Sequence, residues 1–474
     1  MDQHPPSVRR PVTHPVSHLT IAPERLARLG EQALSQALDY WATVDARPSY
    51  PRTSAARTEE LFSLPWTEEG IGERVLDDFA AIADHGRPSG GRFFGYVLGS
   101  GEPVGALGEL LAATLNQNVT SWRSSPAAAT IEQTVIGWLA DAVGCAGFTG
   151  SLCGGGSSAN LMALAMAREA KAPANETGAR PCAVYASSQA HMSIPKAVAL
   201  LGIGRSNLRL IDVDDGLRMR VDALEGAIRA DRERGILPVA IVATAGTVAT
   251  GAIDPLPALA RVARREDLWF HVDGAYGGLA SIAEPALFAG LDEADSLSLD
   301  AHKWLYQPLE CGCLLFRDPG AARSAFSHSG DYVRIMNEGE RESFAFFDET
   351  LELSRRFRAL KLWMSLRYHG RAAFREAIGQ DLRHARLLAE MIRSEPELEI
   401  LGEGPLSAVC FGHRRSDNEA ILRRVIERGR VYLSNATVRD RFALRACFVN
   451  HRTQEEDVAA IVSEVLAAAL EVAP

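Results

Sequence analysis

Apolar and polar positions alternate with one period before residue 150 and with two after it. In residues 24–44, Leu26, Leu29, Leu34, Leu38 and Trp41 recur at helical spacing and form one apolar stripe. A Pro/Arg/Ser-rich loop is expected over 47–58, and a second helix over 71–84. No strand pattern accompanies these helices, so their apolar faces need cover from elsewhere, and a partner subunit is the economical expectation. Helix 103–115 follows. Thr130-Ile131-Glu132-Gln133 reads as a capping box that opens a helix to Val143, with Gly144 as its stop.

From Gly150 the pattern becomes strand, helix, strand, helix. Strands are expected at 181–187, 208–213, 238–244, 267–273, 295–299 and 312–316, and helices at 158–170, 190–201, 221–234, 255–265 and 283–289. This rhythm predicts an α/β domain with a mostly parallel central sheet, helices on both faces and a ligand at the carboxyl ends of the strands. After residue 365 the expected elements are helix 371–393, strands near 398–401, 407–412 and 443–449, and helices 416–428 and 454–470, a small α+β domain. The expected division is 1–99 helical, 100–365 large α/β and 366–474 small C-terminal.

Composition narrows the class. The chain has 474 residues, 47% hydrophobic and 23% charged, with a formal net charge of −10, ordinary values for a soluble protein and adverse to non-specific nucleic-acid binding. No apolar run reaches the length of a membrane span. Met1 to Thr20 is rich in Pro, His and Arg and does not fit a secretory signal. The seven cysteines are scattered, and Cys311-Gly312-Cys313 is too tight for usual metal spacing. Structural thiols, no metal and a reducing, cytoplasmic setting are expected.

Chemistry gathers at the strand ends. Cys153-Gly154-Gly155-Gly156-Ser157-Ser158 opens straight into a helix, and glycines with amides at a helix start suit a phosphate. Gly155, Gly156 and Ser157 are its candidate contacts. The run is neither a P-loop nor a dinucleotide fingerprint. His191, after a strand, suits either stacking on a planar ligand or capping. Thr247 follows another strand. Asp273 ends an apolar strand and needs a partner, either a protonated ring nitrogen or a helix start, and Ala275 leaves room for a flat ring. Ser296-Leu297-Ser298-Leu299-Asp300 is an alternating strand that delivers His302-Lys303-Trp304. A partly desolvated lysine near positive charge can condense with a carbonyl. An anion cradle, a stacking imidazole, a carboxylate and an amine together form the set that pyridoxal 5′-phosphate (PLP) requires. Gly90 to Tyr96 reads as either a bend or a pocket wall.

With these residues in place, the chain resembles the group II PLP-dependent amino-acid decarboxylases over roughly residues 60–465. Asp300-Ala301-His302-Lys303-Trp304 is similar to the family's Schiff-base motif. His271-Val272-Asp273-Gly274-Ala275-Tyr276-Gly277-Gly278 resembles its Val-Asp-Ala-Ala-Tyr-Gly run. Gln189-Ala190-His191 resembles its ring-stacking histidine, and Gly154 to Asn160 its phosphate loop. The resemblance implies a fold type I (aspartate-aminotransferase-like) homodimer with active sites at the subunit interface and N-terminal helices wrapping the partner. It implies Lys303, His191, Asp273 and a loop tyrosine, Tyr332, as catalytic residues. His302 and Thr247 complete the expected cofactor set, the resemblance places Phe93, Phe94 and Tyr96 at the substrate entrance, and Trp122 is a further pocket aromatic expected from its residue type. Asp300 stands where animal members have asparagine, which argues against a direct phosphate contact there. The implied reaction is decarboxylation of an L-amino acid, with an aromatic substrate expected. An aldehyde synthase, a decarboxylase of a polar amino acid and a non-catalytic scaffold are the rival readings.

Overall fold

The computed structural model describes residues 19–328 and 342–472. They fall into two compact units, one holding residues up to Val44 with Pro51–Arg87, the other Asp45–Tyr50 with all that follows Pro88.

The first unit is helical: Pro23–Thr43, Ala55–Phe62, a 3-10 turn Gly72–Leu76 and Asp78–His85. Arg25 Nε donates to Glu73 at 2.9 Å and Gln36 to the Leu76 carbonyl at 2.9 Å, tying the long helix to the turn. The helix Ala55–Phe62 starts inside the expected loop, with Ser54 accepting from the Arg57 amide as its cap. Leu26, Leu34 and Leu38 are exposed.

The second unit is built on a seven-stranded sheet. Its strands are β1 Thr149–Cys153, β2 Cys182–Ser187, β3 Leu208–Ile211, β4 Leu237–Thr244, β5 Trp269–Asp273, β6 Ser296–Asp300 and β7 Gly312–Phe316, in the order β1-β7-β6-β5-β4-β2-β3. β6, β5, β4, β2 and β3 run parallel, while β7 is antiparallel to both β6 and β1. β1 therefore points the same way as β6, and its carboxyl end reaches the same sheet edge. Side chains alternate between two cores. Ile241 and Ala243 of β4 join a core with helices Pro126–Ala142 and Leu256–Arg265. Ala240 and Val242 join the opposite core with helices Gly156–Lys171 and Ser193–Leu200.

A four-stranded antiparallel sheet follows: β8 Leu398–Glu403, β9 Ala408–His413, β10 Ser434–Val438 and β11 Arg441–Cys447, in the order β10-β11-β9-β8. Helices Ala359–Ser394, Asn418–Arg428 and Glu455–Val472 share its core. The first is broken at Gly370, whose φ of +75° leaves the helical region.

Thr130 does not cap a helix. It lies inside Pro126–Ala142, where its hydroxyl donates to the Pro126 carbonyl at 2.9 Å. The helix starts four positions earlier because Pro126 is pre-set for the first helical turn. Glu132 is instead a buried anchor. It accepts from the Leu152 amide at 2.9 Å and pairs with Arg355, which also donates to the carbonyls of Val119 and Leu152 at 2.7 and 2.9 Å. Glu132→Ala strands a buried guanidinium, and a stability loss of about 3 kcal/mol is expected in denaturant titration.

Candidate active site

The carboxyl ends of β1, β2, β4, β5 and β6 surround a cleft of about 380 Å³. Each strand end contributes one chemical group.

Beyond β1, Gly154, Gly155 and Gly156 pass close under the neighbouring strands. Gly155 has a φ of +123°, and a Cβ on Gly156 would lie 2.6 Å from the Ala275 Cβ. No larger residue fits this approach. Helix Gly156–Lys171 starts at once at the cleft wall without a side-chain cap, with Ser157 on its first turn.

β6 ends in Asp300, and the short helix Ala301–Trp304 carries His302 and Lys303 into the cleft. Lys303 Nζ lies 2.9 Å from Asp300 Oδ2. The charge beside the lysine is thus a carboxylate and not the expected cation. His302 Nδ1 accepts from the Cys311 amide at 3.2 Å, and burial lowers the pKa of this imidazole. Asp300 Oδ1 and Thr244 Oγ1 are buried without a hydrogen-bond partner.

β5 delivers Asp273. Its Oδ1 accepts from Ser298 Oγ at 3.1 Å and from the Ala275 amide at 3.2 Å, and its Oδ2 accepts from Asn160 Nδ2 at 2.8 Å. Among the described residues no cationic side chain pairs with it. A 5% exposed carboxylate with only neutral donors calls for a positive partner in the cleft. After β2, His191 turns Nδ1 away to Ser193 Oγ at 2.8 Å, and burial, the largest influence on it, lowers its pKa.

Together these features pass a test of fit for PLP. The glycine cradle at a helix start could take a phosphate, the cation-less Asp273 could accept a ring N–H, and Lys303 is an amine that could meet an aldehyde. Orphaned oxygens on Asp300 and Thr244 mark polar surface that the protein alone leaves unsatisfied.

Of the residues expected from sequence, the cleft collects Gly155, Gly156, Ser157, His191, Asp273, Ala275, His302, Lys303 and Tyr96. Among the described residues it does not collect four others. Thr247 is tied into its own turn, accepting from the Ala252 amide at 3.1 Å, and Thr244 and Gly246 line the wall in its stead. Phe93 stacks on Tyr432 with ring centres 4.9 Å apart, and Phe94 is fully buried against Phe448 at 5.2 Å. Trp122 packs on the core under the sheet. Tyr332 lies outside the described residues. Arg445, from β11, lines the cleft and is held by Ser434 Oγ at 3.0 Å and the Val248 carbonyl at 2.6 Å. Sequence reading passed over it. Its signal was a lone charge inside the apolar run Phe442 to Phe448.

Residues 75–414 match the pyridoxal-dependent decarboxylase conserved domain. The chain belongs to this family. The pyridoxal-dependent decarboxylase is 32% identical over 476 residues to an aromatic-L-amino-acid decarboxylase of Bacillus atrophaeus, covering 96% of this chain and 98% of the relative. It is also 32% identical to a 4-hydroxyphenylacetaldehyde synthase of Rhodiola rosea, over 88% of this chain and 90% of that one. Among solved structures, TDC of Oryza sativa with PLP and tryptamine superposes with a TM-score of 0.89 at 26% identity, covering 95% of this chain and 99% of that chain. The decarboxylase therefore has the fold type I architecture and uses PLP. No helix among its described residues is long and apolar enough to cross a membrane.

Proposed function

We propose that this decarboxylase converts an aromatic L-amino acid to its amine and carbon dioxide. The observation that carries the reading is the presence of Lys303 and the cation-less carboxylate of Asp273 in one cleft. Support for an aromatic substrate comes from the relatives' activities and from the apolar wall formed by Tyr96, Val97 and Leu309.

When bound, the cofactor supplies an aldehyde for the substrate's amine and a ring that takes up the electron pair left by carbon dioxide. Gly155, Gly156 and Ser157 bind its phosphate. Asp273 would hold a proton on the ring nitrogen, Ala275 would leave room for the ring, and His191 would lie against it. Lys303 would be the amine that holds the aldehyde, with His302 beside it. Arg445 is the guanidinium placed to meet a carboxylate. Tyr332 returns a proton to the α-carbon, a role assigned from the sequence resemblance.

The active form is a homodimer with both sites at the subunit interface. Leu107, Leu110, Leu111 and Leu115 expose an apolar face on one helix, and Leu26, Leu34 and Leu38 do so in the N-terminal segment 1–99, which wraps the partner. Seven buried free cysteines fit a reducing, cytoplasmic setting.

A panel of L-amino acids offered in air to PLP-loaded protein, with products identified by mass spectrometry, tests the reading. Amine and carbon dioxide from aromatic substrates are expected. Aldehyde, ammonia and peroxide would instead establish the second reading, an aldehyde synthase, which the likeness to the Rhodiola rosea enzyme favours. Tyr332→Phe is expected to slow amine formation about 10²-fold and to raise the aldehyde share. An unchanged rate and product would remove Tyr332 from the mechanism.

A further inference from the structure

Behind Asp273, one hydrogen-bonded line joins side chains from four elements. Trp269 Nε1 donates to Ser296 Oγ at 2.8 Å. His271 Nδ1 lies 2.9 Å from Ser296 Oγ and 3.1 Å from the Ser296 carbonyl. His271 Nε2 lies 2.9 Å from Asn160 Oδ1. The Asn160 amide nitrogen reaches Asp273 Oδ2 at 2.8 Å and Ser193 Oγ at 2.9 Å. His191 Nδ1 lies 2.8 Å from Ser193 Oγ and 3.2 Å from the Ser193 backbone nitrogen. Asn160 and Ser193 are 1% and 3% exposed, so water does not substitute for these bonds.

Chemistry fixes the direction of the bonds around Asn160. A carboxylate only accepts, so Asn160 must turn its nitrogen to Asp273 and its oxygen to His271. His271 Nε2 therefore carries a hydrogen. Burial pushes the pKa of His271 down to about 4. Its Nδ1 faces both the carbonyl and the hydroxyl of Ser296, whose Oγ accepts from Trp269. The second amide hydrogen of Asn160 goes to Ser193 Oγ. That leaves the Ser193 hydroxyl hydrogen for His191 Nδ1, which also receives the Ser193 backbone N–H. A nitrogen that accepts twice holds no proton.

We propose that Asn160 is a positioning residue with two outputs: it orients the Asp273 carboxylate, and through Ser193 it locks His191 in the tautomer protonated at Nε2. His191 Nε2 has no protein partner among the described residues. His191 thus offers the cleft a hydrogen-bond donor and no base, a group suited to a substrate carboxylate. This inference rests on the cleft being the PLP and substrate site.

The test is long-range proton–nitrogen NMR of the holoenzyme labelled with ¹⁵N-histidine, with His191 assigned by its loss in His191→Gln. The expected wild-type pattern is a bare Nδ1 and a protonated Nε2. Ser193→Ala is expected to give a mixture of tautomers and to lower kcat/KM about tenfold, the worth of one buried hydrogen bond. It should leave cofactor retention within about twofold, because Asn160 still holds Asp273. Asn160→Ala should disturb both the His191 pattern and cofactor retention. A wild-type His191 protonated at Nδ1, or an unaltered pattern in Ser193→Ala, overturns the inference. The cofactor reading is tested separately by the absorbance of the lysine-bound cofactor, which must disappear in Lys303→Ala. A protein that keeps that absorbance but shows a protonated Nδ1 refutes the tautomer lock alone.

Discussion

Lys303→Ala is expected to abolish steady turnover, a loss of about 10⁴-fold or more. On the proposed reading Lys303 holds the cofactor between cycles and releases each product, and none of the other cleft residues among those described carries a primary amine. The lysine sits on a four-residue helix directly after β6, so its position is set by the sheet and survives the substitution. The side chain's ion pair is with Asp300, 2.9 Å away and buried, so the variant also leaves that carboxylate without its cation. A modest drop in thermal stability should accompany the kinetic loss. Product release measured over many enzyme equivalents checks the claim. Repeated turnover at near wild-type rate would sink the assignment.

The second large effect is expected of Asp273→Asn, about 10³ in kcat. A neutral amide cannot hold a proton on a ring nitrogen, so the ring loses its power to accept electrons. Asp273 accepts three hydrogen bonds, from Ser298 Oγ, the Ala275 amide and Asn160 Nδ2. An asparagine satisfies the first two with its carbonyl but turns an NH₂ toward the NH₂ of Asn160. One of the two amides must flip, and a flipped Asn160 conflicts with His271. Stability should fall by about 1–3 kcal/mol, read from the denaturant midpoint. If kcat stays within tenfold of the parent, Asp273 does not face the ring.

Much of this was legible in the chain because the active groups sit at strand ends, and strand ends are where apolar runs stop. Asp273, Lys303 and the glycines before Ser157 each interrupt a hydrophobic run, and the cleft collects all of them. Residues held by tertiary contact were harder to read. Phe93, Phe94 and Trp122 look like pocket aromatics in sequence, yet ring stacking and core packing hold them elsewhere. Strand β10 escaped because its hairpin turns through Arg439 and Asp440 at φ of +48° and +60°, without the Asn-Gly that marks such turns. The alternating serines of β6 imitate a solvent-facing strand. Both its faces are buried, and Ser296 and Ser298 serve His271 and Asp273. Strand β1 was missed because Thr149–Cys153 is short and glycine-punctuated.

The strand-end cleft also couples cofactor supply to the lifetime of the protein. Its groups come from as far apart as Gly154 and Arg445, so no local fragment can assemble it. Pairings of such long sequence separation form late in folding. A ligand that binds only the finished cleft withdraws native chains from the unfolding equilibrium. At a hundredfold excess over its dissociation constant, it adds about 2.7 kcal/mol to stability. Vitamin status would then govern how many copies of the chain persist in the cell as well as how fast each one works.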